Sequence, residues 1–215
     1  MRVERRYISS AFGLLLAAFL LVAGAAHGHC AGRWVPGPEA DAQTTTLVIF
    51  ADRKMADGEW AALFEALRRN VAEAETPSLD GEPRIIRGDR MAAGLEVEQA
   101  VVVYVHGDCN LQPLARRTAY GVPLGWVRRV DGRIEPFAHV DCTRIGQVLG
   151  ARAAGLSRER RDAMMAGAMA QVILHEWIHI ATQSPGHGSS GVTKAEFGVE
   201  DLVTGEPVAE VRGQR

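Results

Sequence analysis

The spacing of hydrophobic residues predicts an alternation of strands and helices along the chain. Runs rich in apolar and β-branched residues predict strands within 44–52, 83–89, 99–108, 124–130 and 133–140. Apolar residues three and four positions apart predict helices over 57–75, 142–155 and 157–183. The run at 99–108 is almost continuously apolar, which indicates a central strand covered on both faces.

The last two predicted strands form a hairpin. Asp131 and Gly132 separate them, and this pair suits the positive φ angles of a tight two-residue turn. Pro136 lies within the second strand and has no backbone N–H to donate, which favours an edge position for that strand. We expect such an edge to accept an extended peptide.

The order of the predicted elements indicates the fold class. It is β-α-β-β-β-β followed by helices, which predicts an α+β or three-layer arrangement with a mixed β-sheet packed against helices. Hydrophobic residues make up 47% of the 215-residue chain and charged residues 23%, a balance that suits one globular domain. The formal net charge of -2 argues against a nucleic-acid partner, since no basic patch is evident.

The N-terminus has the parts of an export signal. A basic start, MRVERRY, precedes the apolar run ISSAFGLLLAAFLLVAGAA, whose small residues offer cleavage sites near Ala26. We therefore predict a signal peptide at 1–26, a flexible lead at 27–43 and a folded domain at 44–215. The predicted location is secreted or periplasmic. The apolar run is just long enough to span a bilayer, so an uncleaved membrane anchor is the alternative.

Export also changes how the three cysteines are interpreted. In an oxidising compartment Cys109 and Cys142 are expected to form a disulfide, worth roughly 3–4 kcal/mol in the chain-entropy model. Cys30 is then unpaired.

Three ionisable residues lie in the most apolar part of the last long helix, within QVILHEWIHIATQSPGHGSSG. His175 and His179 are four residues apart and therefore share one helix face, and Glu176 lies about 100° around the helix from His175. Leaving such groups buried and unpaired would cost several kcal/mol, whereas a divalent cation converts both imidazoles into ligands. The run is H-E-x-x-H, in which two His bind zinc and the Glu takes a proton from the attacking water. The alternative is that these are ordinary hydrogen-bonded core histidines.

A third ligand is needed to complete such a site. His187 is the first candidate, because Pro185 and Gly186 should end the helix and turn the chain back towards the metal. The competing candidates are carboxylates on a further helix predicted within 193–203, namely Glu196, Glu200 and Asp201.

Other polar residues have two interpretations each. His106 and His139 lie at predicted strand ends and are either substrate-side groups or ordinary strand-terminal residues. Gln171 and Thr182 project near the histidine face and could orient the ligands. Lys194 follows the metal loop, together with Thr193, and could face the site.

At HEWIHIATQSPGH the chain resembles the zincin metallopeptidases. The predicted strand order is also similar to their catalytic subdomain, in which the motif helix follows an antiparallel edge strand that binds substrate. The resemblance implies His175 and His179 as zinc ligands and Glu176 as the general base. The sequence departs from the metzincin pattern H-E-x-x-H-x-x-G-x-x-H, because Thr182 and Pro185 occupy the positions of its Gly and last His.

These observations predict a zincin-like catalytic domain at 44–215 and an exported zinc-dependent hydrolase, a metallopeptidase acting on a peptide or protein. Two alternatives are open. One is a non-catalytic, zinc-stabilised binding module, which a closed four-ligand site including Glu200 would favour. The other is a membrane-anchored structural protein, in which the N-terminal helix is not cleaved.

Overall fold

The computed structural model describes residues 45–74, 79, 82–97, 99–111 and 123–203. The predicted signal peptide at 1–26, the predicted lead at 27–43 and Cys30 lie outside the described residues. Within the described part of the chain, no helix has the length and apolar character needed to cross a membrane.

Strands and helices follow the predicted order. They are β1 (Thr46–Ala51), α1 (Asp57–Glu73), β2 (Arg84–Arg87), β3 (Ala100–His106), β4 (Gly125–Val130), β5 (Arg133–Asp141), α2 (Cys142–Leu149), α3 (Arg158–Thr182) and α4 (Val199–Leu202). Two 3₁₀ turns occur at Gly88–Arg90 and Gly191–Thr193. The mixed α+β class is therefore confirmed.

Among the described residues, five strands form one mixed sheet in the order β2-β1-β3-β5-β4. Strands β2, β1, β3 and β5 run parallel to one another, and β4 pairs antiparallel with β5 at the edge of this sheet. β3 is central, as predicted. Its burial alternates, however: Val101, Val103 and Val105 face the core that α3 shares with the sheet, while Val102 and Tyr104 are only half-buried. The expectation that both faces are fully covered is therefore wrong for the described residues.

The hairpin forms at the predicted turn, but its edge strand is β4 rather than β5. Asp131 and Gly132 have φ angles of 48° and 83°, in the positive range predicted for the turn. Pro136 does not place β5 at the edge, because β5 lies between β3 and β4. The pairing with β3 begins only at Phe137, and the register with β4 shifts between Val127 and Arg129. Pro136 thus lies at a sheet irregularity, where a missing N–H is tolerated.

A disulfide links the end of β3 to the start of α2. Cys109 and Cys142 are bonded, as predicted, across a sequence separation of 33 residues. Both are buried, and they belong to the same hydrophobic core as Leu63, Val103 and Ile173. The covalent link therefore fixes the end of the central strand against the helical layer.

Candidate metal site

Helix α3 provides a buried platform for the site. Ser157 caps its first turn by accepting a hydrogen bond from Arg160 N at 3.3 Å, and Gln183 ends it in the left-handed conformation with a φ of 52°. Its second half is buried on all sides, between α1 and strands β4 and β5. His175, Glu176 and His179 lie in this buried half with exposed fractions of 7%, 5% and 7%.

The structure brings the three predicted histidines together. His175 Nε2 and His179 Nε2 are 3.1 Å apart, and their rings are nearly perpendicular at 88°. Beyond the end of α3 the chain turns back and places the His187 ring 5.3 Å from that of His175 and 4.9 Å from that of His179. One ring nitrogen from each residue lies within 4.8 Å of the others. We call these three residues the α3 histidine group.

Two backbone carbonyls set the orientation of the buried rings. His175 Nδ1 lies 2.6 Å from Val192 O, and His179 Nδ1 lies 2.6 Å from Ser184 O. A carbonyl oxygen can only accept, so each ring must carry its proton on Nδ1 and donate it. In the neutral form of the two rings, both Nε2 atoms are then unprotonated and can only accept.

This arrangement fits a divalent cation. When both rings are neutral, the two Nε2 lone pairs 3.1 Å apart repel each other, because neither nitrogen has a proton to donate to the other. A cation between them removes the repulsion. Zinc–nitrogen bonds of about 2.0–2.1 Å at a tetrahedral angle would separate the two nitrogens by roughly 3.3 Å, close to the observed distance. The carbonyl partners on Nδ1 are of the kind that orient histidine ligands in metal sites.

Burial shifts the acid–base equilibria of the site in opposite directions. It lowers the pKa of His175 to about 4, so this ring is neutral at pH 7 and available as a ligand. It raises the pKa of Glu176 to about 8, so the carboxyl group is mostly protonated in the metal-free protein. A bound dication would favour the ionised form of Glu176.

The competing carboxylates do not join the α3 histidine group. Among the described residues, the group within ligating distance contains no carboxylate. Asp201 instead accepts hydrogen bonds from Lys194 Nζ at 2.7 and 2.8 Å and from Gly198 N at 2.8 Å. Glu196 and Glu200 are exposed. The predicted helix within 193–203 is reduced to the single turn α4, which follows Gly198.

The other predicted neighbours have different contacts. Thr182 Oγ1 donates to Ile178 O at 2.7 Å and accepts from Ser184 N at 3.4 Å, so it supports the segment that holds His179. Gln171 instead accepts from Asn70 of α1 at 3.3 Å. Lys194 pairs with Asp201.

His106 and His139 lie on the opposite face of the sheet. Each alternates with buried core residues of its strand, and the two rings meet with His106 Nε2 3.0 Å from His139 Nδ1. His106 Nδ1 lies 3.1 Å from Asp52 Oδ2, and Trp126 stacks on both rings. We call His106 and His139 the back-face pair. They do not contribute to the α3 histidine group.

Sequence reasoning missed two kinds of contact at the site. The carbonyls of Val192 and Ser184 carry no side-chain signal, since any residue type supplies them. The second is Gly125, at the start of edge strand β4, which packs directly against Glu176. An isolated glycine inside a predicted strand is the signal that could have indicated such a close approach.

The chain matches no protein-family model, no curated protein and no solved structure. The geometry of the site is therefore the basis for assigning a function.

Proposed function

We propose that this protein is an exported zinc-dependent hydrolase of the metallopeptidase type. One observation carries the proposal: the Nε2 atoms of His175 and His179 lie 3.1 Å apart while both Nδ1 atoms contact backbone carbonyls, with His187 beside them and Glu176 next in sequence. Core histidines that only satisfy their hydrogen bonds would not be held with two acceptors opposed.

Zinc is the metal that this ligand set suits best. Three imidazoles without a carboxylate or thiolate form a set typical of catalytic zinc, which leaves a fourth position open for water or substrate. The closed four-ligand site expected of a non-catalytic module would need a further protein ligand, and none joins the group among the described residues. We therefore favour the catalytic alternative.

The sheet supports a zincin-like assignment. β4 is antiparallel to β5, lies at the sheet edge and precedes the motif helix, which resembles the substrate-binding edge strand of the zincins. Its contact with Glu176 at Gly125 brings that edge next to the proposed base. An extended peptide adding to β4, the edge strand of the sheet that the described residues form, would be held by main-chain hydrogen bonds.

The proposed mechanism assigns a role to each of these groups. A bound zinc ion would lower the pKa of a coordinated water to about 7 and polarise the scissile carbonyl. Glu176 would take the proton from the attacking water and later give it to the leaving amine nitrogen. His175 and His179 would hold the metal in an orientation fixed by Val192 O and Ser184 O.

Metal content, measured by mass spectrometry on purified protein, tests this proposal. We expect about one zinc per chain in the wild type and in Glu176→Ala, and loss of most of it in His187→Ala. His139→Ala is the matched control, because it removes a histidine from the opposite face and should keep its zinc. Peptide hydrolysis is then assayed with Glu176→Ala as the blank. A wild type that holds no zinc after reconstitution would make His175 and His179 core histidines.

Export needs a separate test. Expression with the full N-terminus in a bacterial host should yield a mature protein that begins near His27, as read by mass spectrometry of the intact chain. Recovery of the uncleaved chain in the membrane fraction would support the anchored alternative.

A further inference from the structure

Gly125 makes an unusually close approach to the proposed base. A Cβ atom built on Gly125 would lie 2.8 Å from Glu176 Oε1 and 3.0 Å from Glu176 Cγ. It would also lie 2.6 Å from Cγ1 of Val172, one turn earlier on α3. No side chain larger than hydrogen fits at this position without moving Glu176, Val172 or the strand.

The backbone itself does not require glycine here. The glycines with positive φ among the described residues are at 94, 107, 132, 155 and 191, and Gly125 is not among them. Its place in β4, paired with Val140 of β5, is one that most residues adopt readily. Glycine also weakens a strand, because it loses more conformational freedom on folding than other residues do. Glycine therefore suits this position because a side chain here would overlap α3.

Contacts of Trp126 on the other face tie strand β4 to β5 and β3, and a shift of β4 away from Glu176 would disrupt them. Trp126, the next residue, points away from α3 and stacks on His139 with ring centroids 5.1 Å apart and planes 9° apart. It also stacks on His106 at 5.7 Å. The peptide bond between Leu124 and Gly125 is fixed as well, because Asp141 N donates to Leu124 O at 2.8 Å. A side chain at position 125 would therefore displace α3 and Glu176.

We propose that Gly125 is a positioning residue for Glu176: the bare backbone of edge strand β4 forms the wall that holds the Glu176 carboxyl group in place. The inference rests on the proposed function for its catalytic consequence, but the contact itself is independent of it. Displacing a general base by about 1 Å is enough to cost on the order of 100-fold in rate. Gly125→Ala should thus disable the base while leaving the α3 histidine group intact.

A double-mutant cycle on stability tests the contact without any substrate. Thermal unfolding is measured for wild type, Gly125→Ala, Glu176→Ala and the double variant. We expect Gly125→Ala to lower Tm by roughly 2–10 °C in the wild type and by clearly less in the Glu176→Ala background, where the overlap with the carboxyl group is gone. Equal shifts in the two backgrounds would overturn the inference.

Gly167→Ala is the matched control. Gly167 lies on α3 itself, and a Cβ added there would meet nothing within 4 Å. Because alanine is the better helix former, this change should leave Tm unchanged or raise it, and hydrolysis should be unaffected. Adding Val172→Ala to Gly125→Ala distinguishes the contact with Val172 from the contact with Glu176. Val172→Ala relieves only the first of these contacts.

Zinc binding and hydrolysis then locate the effect. Gly125→Ala should bind zinc with the wild-type stoichiometry, and any measurable peptide hydrolysis should fall at least about 100-fold, with the loss in kcat. Loss of zinc would show that the change is not local to Glu176 and would overturn the inference. Failure of the proposed function gives a different result: the wild type would hydrolyse nothing, while the stability cycle would still report the contact.

Discussion

Two pairs of histidines on opposite faces of the sheet have nearly the same separation but different chemistry. In the back-face pair, His106 Nε2 and His139 Nδ1 are 3.0 Å apart, and in α3 the Nε2 atoms of His175 and His179 are 3.1 Å apart. If His106 donates from Nδ1 to Asp52, a neutral His106 ring can accept a hydrogen bond at Nε2 from His139 Nδ1. This chain of donors and acceptors is complete without a cation.

Two neutral rings in α3 cannot form such a chain. Each ring donates its Nδ1 proton to a carbonyl oxygen, so the Nε2 atoms of the two neutral rings are both acceptors. The comparison indicates that the distance between two histidines does not by itself mark a candidate metal site. The nitrogen on which each ring carries its proton, which the surrounding acceptors set, distinguishes the two pairs.

The largest expected effect is on thermal stability in the presence of zinc. At about 1,000 times Kd a bound ion adds about 4 kcal/mol, which raises Tm of a domain of this size by roughly 10 °C. We expect this shift in the wild type and in His139→Ala, and its loss in His179→Ala. Differential scanning calorimetry with and without a chelator measures it. A shift that depends on His139 and not on His179 would reverse the comparison between the two pairs.

A smaller effect is expected on the pH dependence of stability without metal. The pKa of Glu176 is raised by burial from 4.5 to about 8, so its stabilising contribution is complete below pH 4.5 and is lost as pH rises through about 8. The pKa of His175 is lowered from 6.5 to about 4, so its contribution is present above pH 6.5 and is lost as pH falls through about 4. In the wild type, ionisation of Glu176 should lower the free energy of unfolding by a few kcal/mol between pH 5 and 9. Glu176→Gln, which imitates the protonated carboxyl group, should not show this decrease.

Urea unfolding at a series of pH values, with a chelator present, measures this dependence. Asp52→Asn serves as the control, because it changes a carboxylate on the opposite face and should leave the slope between pH 7 and 9 as in the wild type. An identical slope in Glu176→Gln would show that Glu176 is not the titrating group.

The smallest effect is expected at the back-face pair. Asp52→Ala removes the acceptor of His106, but the side chains of His106 and Asp52 are 35% and 59% exposed, so water can replace the lost hydrogen bond. The free energy of unfolding should fall by less than about 1 kcal/mol, and zinc affinity should not change. Isothermal titration with zinc checks the second point. A tenfold loss of zinc affinity would mean that the two faces are coupled.

The elements that carry the site could be predicted because local physics specifies them. α3 begins after Ser157 and ends at Gln183 as predicted, since a capping side chain, a long helical spacing and a following proline act over a few residues. The turn at Asp131 and Gly132 and the disulfide between Cys109 and Cys142 were likewise predicted correctly.

The predictions that were wrong depended on contacts that the local pattern of residues does not specify. Pro136 indicated an edge position, but the register of β5 against β3 and β4 places it at an irregularity inside the sheet. The helix predicted within 193–203 shrinks to a single turn. There Lys194 and Asp201 pair with each other, and a 3₁₀ turn directs Val192 O to His175.

The sequence by itself indicated the candidate site: His175 and His179 at a four-residue spacing, the adjacent Glu176 as the base, and His187 or a downstream carboxylate as the third ligand. Helical periodicity follows from the covalent chain, so these relations needed no tertiary information. Only the tertiary structure decided the protonation of the rings, through the carbonyls of residues 184 and 192. It also decided the place of Glu176 against Gly125, because backbone acceptors and steric walls come from whichever segments the fold brings together.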